Sequence, residues 1–152
     1  MVKGGVLLEI REIRITDLNA LQELYLHLHE TEKLPFSNEL ATLWQSIINN
    51  KNYHIFVGEV DEKLISSVTL IIIPNLTHGA KPYAIIENVV THTDYRKKGY
   101  ASRIMQEASR TAETAGCYKI MLLTGSKKES TLKFYENCGF NSKDKTAFIK
   151  WL

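Results

Sequence analysis

The stretch Ala84-Ile-Ile-Glu-Asn-Val-Val-Thr-His-Thr-Asp-Tyr-Arg-Lys-Lys-Gly-Tyr-Ala101 decides how the rest of this chain reads. Ala84 to Thr91 is mostly apolar and β-branched, which predicts a buried strand. His92 to Lys98 is polar, carries three adjacent cations and runs into Gly99. Beyond it Ile104, Ala108, Ala112 and Ala115, with Met105 beside them, recur at helical spacing. The order is strand, cationic glycine turn, helix.

That order has a physical use. The first turn of a helix leaves backbone N–H groups unpaired and pointing outward together. The helix dipole adds partial positive charge there, so an anion, above all a phosphate, is stabilised. Gly99 has no Cβ to hold a ligand off, and Ala101 is nearly as small. Arg96, Lys97 and Lys98 offer charge-assisted contacts. Read alone, the same residues also describe a helix entered through a basic, solvated turn.

Working outward, 152 residues suit one domain, 1–152, with an adequate core. An apolar content of 44% is ordinary for a globular protein, and a formal charge of +2 gives no global field for nucleic acid. No apolar run approaches the ~20 residues of a membrane span. The opening Met-Val-Lys-Gly-Gly-Val-Leu-Leu-Glu has too short an apolar segment for a secretion signal. Cys117 and Cys138 lack metal-ligand spacing, so a reduced cytoplasmic chain without metal is expected.

The flanking elements follow from pattern. Glu9 to Ile15 alternates as a first strand. Thr16-Asp17 offers a cap for a helix with Leu18, Leu21, Leu24, Tyr25 and Leu28 on one stripe. Ser37 or Asn38 caps a second helix with Leu40, Leu43, Trp44, Ile47 and Ile48. Ile55 to Val60 and Leu64 to Ile73 form a hairpin across Asp61-Glu62-Lys63. After the central helix, Cys117 to Leu123 predicts a strand and Lys127 to Cys138 a helix ended by Gly139. Phe140 to Leu152 predicts two short final strands. Hairpins mixed with βα crossovers imply an α/β (α+β) fold, a mixed sheet covered by helices.

The spacing Arg96-x-x-Gly99-x-Ala101 resembles the pyrophosphate signature Arg/Gln-x-x-Gly-x-Gly/Ala of the Gcn5-related N-acetyltransferases. Phe134-Tyr135-Glu-Asn-Cys-Gly139-Phe140 is similar to that family's later Phe/Leu-Tyr-x-x-x-Gly-Phe motif. The pair is far more specific than either half. The element order also resembles this acetyltransferase (GNAT) family along nearly the whole chain.

The resemblance implies a mostly antiparallel seven-stranded sheet with four helices. It implies acetyl coenzyme A lying where the strands near 84–91 and 117–123 splay. Val89, Val90 and Thr91 would pair with the pantetheine arm like an added strand. Arg96, Lys97, Lys98, Gly99, Tyr100, Ala101 and Ser102 would hold the pyrophosphate. Tyr135 would protonate the leaving thiolate, whose thiol has a pKa of about 8.5; otherwise it is a packing tyrosine. Glu87 would take a proton from the amine, or is a structural carboxylate satisfied by nearby N–H groups. Glu87-Asn-Val-Val is similar to the Glu-Asp-Val-Val of glucosamine-6-phosphate acetyltransferases, with Asn88 replacing the acidic residue. Ser126 or Ser130 stands where many members carry a pantetheine-contacting Asn, with Ser126 taken as the contact.

The activity implied is direct transfer of an acetyl group to a primary amine, small-molecule first and protein or peptide second. A coenzyme-A-binding regulatory module is the non-catalytic alternative. A homodimer is compatible with either; membrane and nucleic-acid partners are not expected. His92 and His78 are read as solvated, with His78 and Lys81 in a loop where family members contact the acceptor.

Overall fold

The computed structural model describes residues 7–152; the Met1–Val6 opening, read above for a secretion signal, lies outside them. Five strands form one sheet in the order β1-β2-β3-β4-β5. β1 (Glu9–Glu12), β2 (Tyr53–Val60), β3 (Lys63–Ile73) and β4 (Tyr83–Thr91) pair antiparallel in succession. β5 (Ile120–Leu122) is parallel to β4. A parallel neighbour needs a crossover, and α4 (Tyr100–Thr114) supplies it.

Each face of the sheet is closed by helices. Ile104, Met105, Ala108 and Ala112 form the buried stripe of α4 and pack on Phe56, Val68, Leu70, Ala84 and Ile86. Small alanines let the helix lie close to the pleat. On the other face α1 (Leu18–Tyr25) and α2 (Asn38–Ile48) bring Leu21, Leu24 and Trp44 onto Ile55, Val57, Leu64 and Val90. Ser37 caps α2 by accepting from Leu40 N at 3.0 Å. Trp44 Nε1 donates to Ile15 O at 2.8 Å and ties α2 to the 3-10 turn between β1 and α1. A four-residue helical turn, α3 (Thr77–Ala80), precedes β4, and α5 (Glu129–Asn137) follows β5.

Two expectations change. The sheet has five strands among the described residues, not seven, because Phe140 to Leu152 forms no ladder. An apolar, β-prone run becomes a strand only where an edge receives it, and pairing is non-local. Among the described residues the helices number five rather than four, the extra one being the four-residue turn α3, in which His78, Gly79 and Ala80 have positive φ. β5 is also shorter than Cys117 to Leu123. The chain does run beside β4 from Tyr118, whose N donates to Pro82 O, but the ladder spans three residues.

Candidate active site

β4 and β5 are partners over only part of their length. Ala84, Ile85 and Ile86 pair with Ile120, Met121 and Leu122, and there the ladder stops. From Glu87 to Thr91, no described strand pairs with β4 on that side. A bulge accompanies the opening. Thr69 faces Glu87 and Ser67 faces Val90, so β4 spends three steps where β3 spends two. Asn88, at φ +50°, absorbs the extra residue. Asn tolerates this left-handed conformation better than most side chains.

The bulge corrects the simple alternation of the strand, under which Val89 would share a face with Glu87. Val89 instead packs with Ile86 on the α4 side, and Val90 turns to the α1 side. Glu87, opposite Thr69, stands on the α1 and α2 face, and its side chain is exposed rather than buried. Its carboxylate therefore needs no special account of burial.

Beyond the opening lies the turn into α4. Thr93–Tyr95 forms a 3-10 turn, Lys97 sits at φ +59° and Gly99 at φ +78°. Gly99 is the N-cap of α4, and no side chain caps the helix there. The amides of Tyr100, Ala101 and Ser102 thus head a 15-residue helix at an open notch. A Cβ built at Gly99 meets nothing within 4 Å. The glycine is required by its φ, and the space beside it is free for a ligand.

The three cations do not behave alike. Lys97 and Lys98 are exposed at the notch, and Lys98 Nζ lies 5.1 Å from the centre of the Tyr95 ring. The Arg96 side chain turns away from the notch. Its Nε donates to Thr91 O at 3.0 Å and its Nη2 to His27 O at 2.9 Å. It ties the end of β4 to the carbonyl just past α1.

α5 brings the second motif to the same place. Phe134, Tyr135, Cys138 and Phe140 pack against the core beneath α4. Tyr135 lies 5.0 Å from the Phe134 ring and 6.5 Å from the Phe140 ring. Burial, then the neighbouring Cys138 and Glu87, push the Tyr135 phenol above its ordinary value. Burial also raises the Cys138 thiol, opposed in part by the Ser102 hydroxyl at the head of α4. Tyr135 and Glu87 therefore lie within electrostatic reach of one another.

Ser126 works locally. Its hydroxyl donates to Thr131 Oγ1 at 3.2 Å and accepts from Lys128 N at 3.3 Å, shaping the entry to α5. Ser130 is exposed in the first turn of α5. His92 closes β4 with its ring 4.0 Å from that of His27 and its Nε2 3.1 Å from Lys63 Nζ. Burial, His27 and Lys63 hold it below its ordinary value. His78 stacks on Tyr118 at 3.9 Å, beside the paired end of β4 and β5, so neither it nor Lys81 is brought to the opening.

Residues not found from sequence also line the Glu87 face. Tyr25, from the end of α1 and beside Thr69 and Ser67, is raised by burial. Those two hydroxyls are buried without a hydrogen-bond partner among the described residues. Tyr53 is raised by burial and by Glu87. Their grouping depends on three separate elements, and no local signal announces it. Also among the described residues, no group of three or more His, Cys, Asp or Glu is placed to hold a metal. None of the helices is long and apolar enough to cross a membrane.

An uncapped helix start, a half-unpaired strand and a motif tyrosine now share one opening. The profile of the acetyltransferase (GNAT) family matches residues 18–140, which include all three. The chain belongs to the GNAT family. It is therefore an acetyltransferase. A glucosamine 6-phosphate N-acetyltransferase of Trypanosoma brucei brucei is 30% identical over 144 residues, covering 91% of this chain and 92% of the relative. A putative acetyltransferase from Agrobacterium tumefaciens superposes with a TM-score of 0.86 at 36% identity, covering 94% of this chain and 99% of its own. A glucosamine-6-phosphate N-acetyltransferase from Arabidopsis thaliana superposes at 0.84 with 22% identity over 95% of this chain and 98% of its own, a likeness of fold alone.

The GNAT match begins at α1 and ends at Phe140. The tail from residue 141 onward is outside it. Within the family frame, the residues present fit a diphosphate and an extended arm. The uncapped α4 amides face open space, and the β4 edge beyond Ile86 is free of a strand.

Proposed function

We propose that this GNAT enzyme transfers the acetyl group of acetyl coenzyme A to the primary amine of a small metabolite, an amino sugar phosphate first. One observation carries the reading: the β4–β5 ladder ends at Ile86 and leaves Glu87 to Thr91 unpaired on that side, in the strand that leads through one turn to the uncapped start of α4. The acceptor class is supported by the 30% identical relative that acts on glucosamine 6-phosphate. Asn88, where such enzymes resemble Glu-Asp-Val-Val, is the point of departure.

Acetyl coenzyme A would supply the thioester. The backbone of Val89, Val90 and Thr91 offers the arm a strand edge. The amides at Gly99 to Ser102, with Lys97 and Lys98, hold the diphosphate. Arg96 serves by fixing the end of β4. Ser126 shapes the wall formed by the start of α5 and meets the arm from there.

The amine nitrogen attacks the thioester carbonyl, so a C–N bond forms and the C–S bond breaks. Glu87 accepts the proton lost by nitrogen, and the Tyr135 phenol gives its proton to sulfur. Solvent then restores both groups. Glu87 suits the base role because it is exposed beside the opening. Tyr135 suits the acid role because its raised pKa keeps it protonated through the neutral range. Orientation within the opening supplies much of the rate.

The test is release of free thiol from acetyl coenzyme A over a panel of glucosamine 6-phosphate, glucosamine, polyamines and lysine peptides. Fastest release with the phosphorylated amino sugar supports the proposal. Peptide preference would move the assignment to protein acetylation. Tight coenzyme binding with no release on any amine would make the chain a regulatory binding module.

A further inference from the structure

Three elements meet behind the turn that leads into α4. His27 lies just past α1, Lys63 opens β3, and His92 follows Thr91 at the end of β4. The His27 and His92 rings are 4.0 Å apart, and the Tyr95 ring stands edge-on to His92 at 5.4 Å. Only 14% of the His92 side chain is exposed.

The partners of the His92 ring ask for an acceptor. Nδ1 accepts from Asp94 N at 3.2 Å and so caps the 3-10 turn Thr93–Tyr95. Nε2 faces Lys63 Nζ at 3.1 Å. An amide N–H and an ammonium group are both donors. A neutral imidazole accepts at one nitrogen and can serve one of them; an imidazolium accepts at neither.

The surrounding charges act in the same direction. Lys63, Arg96 and His27 disfavour charge on His92, and Asp94 favours it. The Asp94 carboxylate is 3.9 Å away and 80% exposed, so water weakens its pull. Glu23 of α1 and Glu62 of the hairpin turn line the same 390 Å³ cleft, which opens beside the ring. Both are exposed, and Glu23 is engaged by Lys33 at 3.0 Å. Burial, then His27 and Lys63, hold His92 below its ordinary value.

The turn that His92 caps runs on through Lys97 and Lys98 to Gly99. His27 meets the same turn twice: its Nδ1 lies 3.4 Å from Thr93 Oγ1, and its carbonyl accepts from Arg96 Nη2 at 2.9 Å. Losing the cap frees the start of a segment whose far end faces the notch. We propose that His92 is a positioning residue for the coenzyme: its neutral ring holds the turn that carries Lys97 and Lys98 to the notch, and protonation of the ring releases that turn. The proposal rests on the diphosphate lying at the start of α4. A histidine lowered in the folded chain adds stability that is full above its unfolded value of about 6.5. That stability is lost as pH falls through the lowered value, so coenzyme binding should weaken on the acid side.

The test titrates acetyl coenzyme A by calorimetry from pH 5 to 8 on wild type, His92→Asn and His92→Ala. Asn places a non-titrating oxygen where Nδ1 accepts, and it is a good N-cap. Wild type and His92→Asn should bind alike at pH 7.5. At pH 5.5 wild type should be about fivefold weaker than His92→Asn, the worth of one cap. Ionisation of the coenzyme's own phosphates cancels in that comparison. His92→Ala should be weak throughout. The same acid loss in wild type and His92→Asn, or full affinity in His92→Ala at pH 7.5, would overturn the proposal. The Asp94 and Gly99 amide resonances of the free protein separate its two supports. Amides that shift with His92 titration while affinity does not change would place the diphosphate elsewhere and remove the reading beneath the proposal. Amides that stay still, with coenzyme binding still lost in Gly99→Ala, would remove the role of His92 alone.

Discussion

At the scale of single residues, the account rests on Tyr135 and Glu87. Tyr135→Phe removes one oxygen from a half-buried ring and leaves its packing on Phe134 and Phe140. The expected result is a fall in kcat of ~10²–10⁴-fold with coenzyme affinity changed less than about threefold, read from thiol release and from binding titration. Because burial, Cys138 and Glu87 raise the phenol, kcat should hold on the alkaline side up to the ordinary tyrosine value of about 10. Loss of activity between neutrality and pH ~9 that disappears in Tyr135→Phe would contradict this sign. Glu87→Gln should lower kcat while leaving Tm nearly unchanged, since an exposed side chain contributes within about 0.5 kcal/mol. A structural carboxylate would show the opposite split.

At the scale of elements, the turn between β4 and α4 was legible because its chemistry is local. A glycine at φ +78° before an alanine-striped helix is written into adjacent residues. The bulge was hidden: apolar residues continue through it, and only Asn88, a residue depleted in strands, marks it. The role of Arg96 was hidden too, since its partner His27 O is distant in sequence. Two glycines separate these causes in experiment. Gly99→Ala should cost about 1 kcal/mol through φ alone and weaken coenzyme binding. Gly58→Ala has ordinary φ, but its Cβ would lie 2.9 Å from Ile104 Cδ1 and 3.0 Å from Leu8 Cδ1. It should cost ~1–3 kcal/mol by crowding, with coenzyme affinity intact in the folded fraction. Denaturant melts and coenzyme titration on both variants decide.

At the scale of the whole molecule, β1 is locked to the body by charge. Arg11 donates to Asp17 at 2.7 Å and to Glu59 at 2.6 Å, with all three side chains mostly shielded from water. Burial alone would raise the Asp17 carboxyl, but the Arg11 hydrogen bond and the Arg14 amide outweigh it and lower the pKa. A lowered carboxylate adds stability that is present above its unfolded value and lost as pH falls through its folded one. Asp17→Asn should therefore cost on the order of 2 kcal/mol at neutral pH. The gap to wild type should close below pH ~4 in acid-dependent melts. A gap that persisted in acid would place the effect in packing. The sheet's outer edge is where sequence reading stopped short. Phe140 to Leu152 has the composition of strands, but whether a strand forms depends on which edge is offered.

The most direct test of the central claim compares binding of acetyl coenzyme A with that of S-acetylpantetheine, which lacks the diphosphate, by calorimetric titration. If the uncapped start of α4 holds that group, the shortened ligand should bind about a hundredfold more weakly, and Gly99→Ala should erode the difference. Equal affinity for the two ligands would contradict the account.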